Sequence, residues 1–296
     1  MKLGPNFSDF KTKVSSTVTI HGTQSGSGTP LLLLHGFPQT HLLWHKIAPR
    51  LAETYTVIAL DLRGYGRSSK PSDTNDSKHD LYSKRSLAAD CAHVMQSLGH
   101  EKFHVCGHDR GARVAHQLAI DHSDRVTKLM ILDIVPTLRH YELTDQQFAT
   151  AYWHWFFLIQ PAPFPEEMIL ANPTTYSKRA FRDMPDNTDI FAADAMEEYV
   201  AQFRDPDGTH AMCEDYRAGA SVDLEHQRAD RKAGNRIKCP LYVIWGTQGL
   251  IPKYDAVKEW QEVCEGEVKG EGVDCGHYVP EERPEELLES MLEFFV

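Results

Sequence analysis

The sequence lacks the features of a membrane protein or a nucleic-acid-binding protein. Its 296 residues include no run of about 18 apolar residues that could span a bilayer, and its first residues have no apolar signal core. The formal net charge of −11 opposes binding to polyanions. We therefore expect a soluble, cytoplasmic protein that binds neither membranes nor nucleic acids.

Cysteine is scarce and scattered. The six cysteines, at positions 91, 106, 213, 239, 264 and 275, form no CxxC pair and show no zinc-finger spacing. This distribution favours reduced thiols over a disulfide framework or a metal site. The sequence therefore predicts no metal and no other cofactor.

The sequence does contain alternating strand-like and helical segments. Continuous apolar runs bounded by turn residues predict buried strands within residues 29–37, 54–68, 126–136 and 239–249. Helical spacing of apolar residues separates them. This alternation predicts an α/β fold with a mostly parallel sheet flanked by helices, and ligand sites at the carboxyl ends of the strands.

The pattern changes between about residues 137 and 225. This part contains aromatic-rich helical segments such as QFATAYWHWFFLI and the punctuation PAPFPEE, without a clear strand. A chain of this length and 41% apolar content can fill one large core plus an inserted subdomain. We predict a helical cap at 137–225, inserted into a core formed by 1–136 and 226–296.

A candidate nucleophile lies where a buried strand turns into a helix. Residues 107–111 read GHDRG and match the nucleophile-elbow pattern G-x-S-x-G, with Asp109 in place of serine. An aspartate is ionised at pH 7 and suits displacement at saturated carbon better than acyl transfer. The alternative is an ordinary surface turn. We predict an α/β-hydrolase-fold enzyme that forms an ester on Asp109.

Hydrolysis of that ester needs a base and a carboxylate that orients the base. His277, in the CGH segment before the last helix, is the candidate base. The usual position of the acid follows the strand LYVIWG, but Gly249 occupies that position. We expect Asp133, at the end of the strand after the nucleophile helix, to replace it, with Asp255 as the alternative.

The residues around the elbow suggest how charge is stabilised. The backbone N–H groups of Phe37, in HGFP, and of Arg110 are candidates for an oxyanion pocket. Arg110 and Arg113 are unusual because the helix after an elbow packs inside the core, where an unpaired arginine is costly. At i, i+3 spacing they can hold a substrate carboxylate together. Alternatively, they neutralise Asp109 and Asp133.

Several motifs together resemble the fluoroacetate dehalogenases of the α/β-hydrolase superfamily. They are HGFPQTHLLWH, DLRGYGRS, GHDRGARVAHQLA, LDIVPT, WHW and MCEDYRAGA, and the resemblance extends over nearly the whole chain from about residue 30. The HGFP and DxRGxGxS blocks also occur in epoxide hydrolases and haloalkane dehalogenases. The resemblance implies Asp109 as nucleophile, His277 as base, Asp133 as its partner, and Arg110 and Arg113 as ligands of the substrate carboxylate.

The resemblance also implies a halide pocket made of His154, Trp155 and Tyr216. Their N–H and O–H groups would converge on a departing fluoride ion. Without the family, these side chains would be interpreted as ordinary packing, as Trp153 still is. The resemblance further implies a homodimer. The expected reaction is the hydrolytic dehalogenation of a haloacetate, with fluoroacetate yielding glycolate and fluoride.

Two other functions compete with this one. An epoxide hydrolase would use the same Asp109 and would polarise the leaving oxygen with tyrosines, for which Tyr141, Tyr152 and Tyr216 are available. A binding or signalling protein of the same fold would not need the nucleophile, base and acid that this sequence retains. The paired arginines favour the haloacid, because epoxide substrates are usually neutral.

Overall fold

The computed structural model describes residues 1–72, 76–181 and 190–296. An eight-stranded sheet forms the centre of these residues. Its strands are β1 Ser8–Lys13, β2 Thr19–Ser25, β3 Pro30–Leu34, β4 Thr56–Leu60, β5 Phe103–His108, β6 Val126–Leu132, β7 Leu241–Gly246 and β8 Val268–Val273. In space the order is β1-β2-β4-β3-β5-β6-β7-β8. The last six pair in parallel, so the predicted mostly parallel sheet is confirmed.

Helices flank this sheet. In the described ranges the α-helices are α1 Ala48–Leu51, α2 Lys84–Ser97, α3 Asp109–Asp121, α4 Thr137–Glu142, α5 Gln146–Ala151, α6 Trp153–Leu158, α7 Phe164–Ala171, α8 Pro173–Ala180, α9 Ala193–Ala201, α10 Pro206–Ala220, α11 Val222–Ala233, α12 Ala256–Gln261, α13 Val279–Glu282 and α14 Pro284–Phe295. None of the helices in these ranges is both long and apolar enough to cross a bilayer.

The central strands β3 to β6 are largely buried, as expected where helices cover both faces of a parallel sheet. The four leucines of β3 are fully buried, and β5 is buried at every position. β5 leads directly into α3, and the neighbouring strands β3 and β6 end beside it. The carboxyl ends of three central strands therefore meet at one edge of the sheet, where the candidate site residues lie.

The antiparallel pair β1 and β2 was not predicted from the sequence. Its first strand, SDFKTK, is largely exposed and carries no apolar run. β1 lies at the edge of the sheet and pairs only with β2, which continues antiparallel to β4. A half-solvated antiparallel edge strand does not need the continuous hydrophobicity that identifies a central parallel strand.

The described part of the chain between β6 and β7 consists of helices joined by turns and short loops. It contains α4 to α11, with no strand among its described residues. The predicted cap at 137–225 stays a prediction. Its predicted end lies within α11, a single helix from Val222 to Ala233 that continues toward the core.

Candidate active site

Asp109 lies on the sharp turn between β5 and α3. Its φ of +46° is in the left-handed region that side-chain-bearing residues rarely adopt. Gly111 allows this turn, because a Cβ there would lie 2.2 Å from the carbonyl oxygen of His35. Gly36 makes room for the nucleophile itself, because a Cβ there would lie 2.6 Å from the Cβ of Asp109. The Asp109 side chain is consequently held at the sheet edge.

His277 connects the two predicted catalytic carboxylates. Its Nδ1 lies 2.6 Å from Oδ2 of Asp133, and its Nε2 lies 3.8 Å from Oδ2 of Asp109. All three residues are buried. A proton on Nδ1 is donated to Asp133, which leaves the lone pair of Nε2 facing the nucleophile. A base in this position can accept a proton from water that attacks the Asp109 carboxyl carbon.

Asp133 is the carboxylate that lies beside Nδ1 of His277. It has a φ of +54° directly after β6, and its Oδ1 accepts a hydrogen bond of 2.9 Å from the Gly246 N–H at the end of β7. A Cβ on Gly249 would lie 3.8 Å from Oδ2 of Asp133, so the usual position of the acid adjoins the one used here. Asp255 instead is exposed and caps α12.

One predicted oxyanion donor already contacts the nucleophile. The Phe37 N–H donates a hydrogen bond of 3.0 Å to Oδ1 of Asp109. No hydrogen bond joins the Arg110 N–H to Asp109 among the described residues. An ester formed on Asp109 has its carbonyl oxygen at the Asp109 carboxyl group, so the Phe37 N–H can stabilise the negative charge that develops there during hydrolysis.

The electrostatic environment keeps Asp109 ionised. Burial raises the pKa of the Asp109 carboxyl, but His277 and then Arg113 outweigh it and hold this pKa below its usual range. Burial and the charge of Arg110 lower the pKa of Arg113 to about 10, which still leaves Arg113 protonated at neutral pH. The site therefore holds an ionised candidate nucleophile and a buried cation one helical turn apart.

Arg113 is buried without an anionic partner among the described residues. Its Nη1 donates 2.8 Å to Oγ1 of Thr137 and 3.4 Å to the carbonyl of Val135, while Nε and Nη2 have no hydrogen-bond partner within the described chain. The guanidinium lies 4.7 Å from the ring centroid of Trp155. A buried guanidinium with unused donors is costly unless an anion binds to it.

Arg110 has a different environment. Its Nε donates 2.6 Å to Oδ2 of Asp215, and its Nη2 donates 2.5 Å to the Asp215 carbonyl. Asp215 is fully buried and also pairs with Lys84 and accepts a hydrogen bond of 2.9 Å from the Tyr65 hydroxyl. Burial raises the pKa of Asp215, but Arg110 and Lys84 lower it to about 2. Asp215 therefore neutralises Arg110 and fixes its orientation.

Neither arginine forms an ion pair with Asp109 or Asp133 among the described residues. The two arginines nevertheless lie close to each other, since the charge of Arg110 lowers the pKa of Arg113. The carboxylate of Asp215 balances the charge of Arg110, whereas no carboxylate among the described residues pairs with Arg113. The alternative in which the arginines neutralise Asp109 and Asp133 has no direct ion pair to support it, and Arg113 acts on Asp109 only through space, by lowering its pKa.

The three predicted halide ligands lie together beside these charges. The ring of Tyr216 lies 5.3 Å from that of Phe37, 5.8 Å from that of His154 and 6.2 Å from that of Trp155. Arg110 lies over the Tyr216 ring at 4.2 Å. The Trp155 Nε1–H is buried and has no partner within the described chain. The helices α6 and α10 therefore place these three side chains together, beside Phe37 and Arg110.

Sequence reasoning missed four residues that support this site. Asp215 was part of the MCEDY motif, and its signal was an acid directly before a predicted site tyrosine. Thr137 ends the LDIVPT motif and contacts Arg113. His108 precedes the nucleophile and donates 2.8 Å to the His277 carbonyl, while burial and His277 lower its pKa to about 4. His140 is a buried histidine whose pKa burial and Arg113 lower.

One group of possible metal ligands occurs among the described residues, away from the nucleophile. It consists of His21, His41 and Asp61, all buried. Asp61 already accepts hydrogen bonds of 2.9 and 2.8 Å from Nδ1 of His21 and His41, and of 2.9 and 3.0 Å from the backbone N–H groups of His41 and Arg67. The carboxylate lone pairs are therefore used by the fold.

The fold and the site define a class of protein. The family model for the α/β-hydrolase fold matches residues 29–284, so the chain belongs to the α/β-hydrolase fold family. The fold predicted from the sequence is thereby confirmed.

Relatives within that family narrow the comparison. The chain is 48% identical to a fluoroacetate dehalogenase from Burkholderia sp, over 79% of this chain and 76% of the relative. It is 34% identical to a soluble epoxide hydrolase from Corynebacterium sp. (strain C12), over 93% of each chain. Among solved structures, an α/β hydrolase from Nostoc sp PCC 7120 is 49% identical, covers 98% of each chain and has a TM-score of 0.93. The resemblance to fluoroacetate dehalogenases is confirmed.

Proposed function

We propose that this protein is a haloacetate dehalogenase that hydrolyses fluoroacetate to glycolate and fluoride. The observation that carries the proposal is the buried, charged Arg113, whose Nε and Nη2 have no partner within the described chain, one helical turn from Asp109. A substrate carboxylate would supply the missing acceptors. The 48% identity to a fluoroacetate dehalogenase supports the same conclusion.

In the first step, the carboxylate of the substrate binds Arg113 and the remaining donors of Arg110. A carboxylate oxygen of Asp109 attacks the α-carbon, the carbon–halogen bond breaks, and the halide leaves with the electron pair. His154, Trp155 and Tyr216 donate hydrogen bonds to it. Fluoride is small and strongly hydrated, so its departure requires such replacement donors.

In the second step, water attacks the carboxyl carbon of the Asp109 ester. His277 accepts a proton from this water, and Asp133 stabilises the resulting imidazolium through its contact with Nδ1. The Phe37 N–H stabilises the oxyanion. Collapse of the intermediate releases the hydroxy acid and restores the Asp109 carboxylate.

An epoxide hydrolase is the alternative function. It would use the same nucleophile and base, and the 34% identical relative is an epoxide hydrolase. A simple neutral epoxide, however, would leave the charge of Arg113 without a partner. The test is a parallel assay with fluoroacetate, chloroacetate and styrene oxide. We expect halide release from the haloacetates and no diol from styrene oxide; the reverse result would make the protein an epoxide hydrolase.

Replacing Arg113 with Leu should weaken substrate binding without destabilising the protein. We expect kcat/KM for chloroacetate to fall about 100-fold, because two charge-assisted hydrogen bonds are lost. The melting temperature should not fall, because the variant removes a buried charge that lacks an anionic partner. Halide-release kinetics and thermal unfolding measure both effects.

The control for this variant is Arg125→Leu, at the start of β6 and so at the opposite edge of the sheet. Arg125 donates 3.0 Å to the carbonyls of Ala92 and His100. Its replacement removes the same charge, but should leave the KM for chloroacetate unchanged. An unchanged KM in Arg113→Leu would contradict the role assigned to Arg113.

Asp215→Asn should impair the site through Arg110. Without the carboxylate, the orientation of Arg110 is lost, and we expect the KM for chloroacetate to rise about tenfold. The control is Asp90→Asn, which breaks another buried ion pair, with Arg63 at 2.6 Å. Both variants should lower the melting temperature, but only Asp215→Asn should raise KM. Equal KM values in the two variants would indicate that Asp215 has only a structural role.

Three further features belong to this proposal. We propose that residues 137–225 act as a cap, because α6 and α10 contribute His154, Trp155 and Tyr216 to the site. We also infer a cytoplasmic location, which the six unpaired, buried cysteines support. The homodimer is an expectation from the family resemblance, and light scattering of the purified protein tests it.

A further inference from the structure

We propose a second activity for the same site: the hydrolysis of small epoxides that carry a carboxylate on the ring, such as oxirane-2-carboxylate, to 2,3-dihydroxy acids. This inference rests on the proposed function, because it uses the same nucleophile and the same carboxylate ligands. It differs in the leaving group, which is an oxygen that stays attached to the substrate and must receive a proton.

The site can recognise an epoxy acid as it recognises a haloacid. In both molecules the electrophilic carbon is bonded to a carboxylate, and oxirane-2-carboxylate has only one more non-hydrogen atom than fluoroacetate. Arg113 offers Nε and Nη2, which lack acceptors within the described chain, and Arg110 is held beside it by Asp215. A neutral epoxide has no group for these donors. The arginines thus select the charged member of the epoxide class.

Tyr216 is placed to protonate the opened ring. Its ring packs against that of Phe37, whose N–H contacts Asp109, and its side chain is buried. The hydroxyl makes no hydrogen bond to any residue in the described part of the chain, so it is available to a ligand. The Trp155 Nε1–H, also without a partner in the described residues, can donate a hydrogen bond to the same oxygen.

The Tyr216 hydroxyl becomes a stronger acid when the ester forms on Asp109. Burial and then the negative charge of Asp109 raise the pKa of the Tyr216 hydroxyl, while Arg110, 4.2 Å from its ring, lowers that pKa. When Asp109 becomes an ester, it loses its charge, whereas Arg110 keeps its own. The tyrosine therefore gives up its proton more easily at the moment when the ring oxygen needs one.

The reaction balances without any further reactant. A bond forms between an Asp109 oxygen and the α-carbon, the bond from this carbon to the ring oxygen breaks, and the ring oxygen takes the Tyr216 proton. Water then adds to the Asp109 ester while His277 accepts its proton and returns it to the departing hydroxyl oxygen. The regenerated Asp109 carboxyl loses its proton to the Tyr216 phenolate. One water is consumed and one diol acid is formed.

The experiment compares three substrates: bromoacetate, oxirane-2-carboxylate and oxirane-2-carboxamide. The amide has nearly the size and shape of the acid, but an uncharged NH2 group replaces one carboxylate oxygen. We expect bromide release from the first and 2,3-dihydroxypropanoate from the second. The amide should react at least about 100-fold more slowly in kcat/KM, because it cannot pair with Arg113. Asp109→Asn should abolish both activities.

Tyr216→Phe separates the two activities. Bromide leaves as a stable anion and needs no proton, but it loses one of its three proposed hydrogen-bond donors, so this variant should lower bromide release about tenfold. Opening of the epoxy acid should fall at least about 100-fold, the usual contribution of a general acid. A purely structural role of Tyr216 would lower both rates equally, and that result would overturn the assignment of the proton donor.

The remaining outcomes distinguish this inference from the proposed function. Bromide release without any turnover of the epoxy acid would overturn the second activity and leave the dehalogenase intact. Equal turnover of the acid and the amide would overturn the role of the carboxylate. Turnover of the epoxy acid without any halide release would contradict the proposed dehalogenase.

Discussion

Asp109→Asn is expected to lower the rate of halide release by at least about four orders of magnitude. The amide is a poor nucleophile and cannot form the ester that the second step hydrolyses. The backbone should keep its conformation, because asparagine tolerates the left-handed region that Asp109 occupies at φ +46°. Steady-state halide release, with circular dichroism as the check on folding, measures this effect.

The control carries the same substitution at the other end of the same helix. Asp121 is the last residue of α3 and pairs with Arg85 at 2.9 Å on the surface. Asp121→Asn should therefore retain wild-type turnover. Halide release by Asp109→Asn within about tenfold of the wild-type rate would rule out Asp109 as the nucleophile.

A single turnover of the wild-type protein in ¹⁸O-labelled water tests the covalent step directly. Water attacks the carboxyl carbon of the ester, so one labelled oxygen should appear in Asp109 and the first product molecule should carry none. Mass spectrometry of the peptide that contains Asp109 measures this label. Label in the product alone would mean that water attacks the substrate directly.

His277→Asn should separate the two steps of the reaction. Arg113 still favours the ionised form of Asp109 in this variant, so each chain should still release one halide from bromoacetate. The ester cannot then be hydrolysed at a useful rate, because no base faces the attacking water, and steady-state turnover should fall at least about 1,000-fold. The expected result is a burst of one bromide per chain and a protein mass increased by one ester group.

The matched control for His277→Asn is His104→Asn. His104 is also a buried histidine, but it lies near the start of β5 and contacts Thr127 at 2.7 Å. This variant should show sustained turnover and no trapped ester. Sustained turnover by His277→Asn would show that another group activates water, whereas the absence of any burst would give His277 a role in the first step.

The central strands of the sheet were predictable because each of them is encoded by a few consecutive residues. Buried parallel strands need continuous apolar runs, and these runs predicted β3, β4, β6 and β7, while β5 was predicted as the buried strand before the GHDRG turn. The strand β1 escaped prediction because its sequence, SDFKTK, is that of a half-exposed edge strand. Its position depends on pairing with β2, which no local pattern encodes.

The nucleophile was predictable for a related reason. An elbow requires small residues on both sides of the central one within five positions, and GHDRG satisfies this requirement by itself. The choice between Asp133 and Asp255 could not be made from the sequence alone, because it depends on the order of the strands in the sheet. The sheet order places β6 between β5 and β7, which brings Asp133 within 2.6 Å of His277, whereas Asp255 caps a surface helix.

The different environments of Arg110 and Arg113 could not be predicted from the sequence. Their spacing on one helix suggested a shared role, but only the fold distinguishes them. Asp215, 105 residues along the chain from Arg110, neutralises that arginine and not its neighbour. No spacing rule relates two residues so far apart, since their contact depends on how α10 packs against α3.

The sequence by itself thus predicted the aspartate at the elbow as the nucleophile, because the elbow forms from consecutive residues. The tertiary structure decided which carboxylate lies beside His277 and which arginine has no carboxylate partner among the described residues. Both decisions follow from the packing of distant segments, which brings Asp133 to His277 and Asp215 to Arg110. Arg113 is then the cation without a carboxylate partner beside Asp109 in the described chain, and the proposed substrate follows from it.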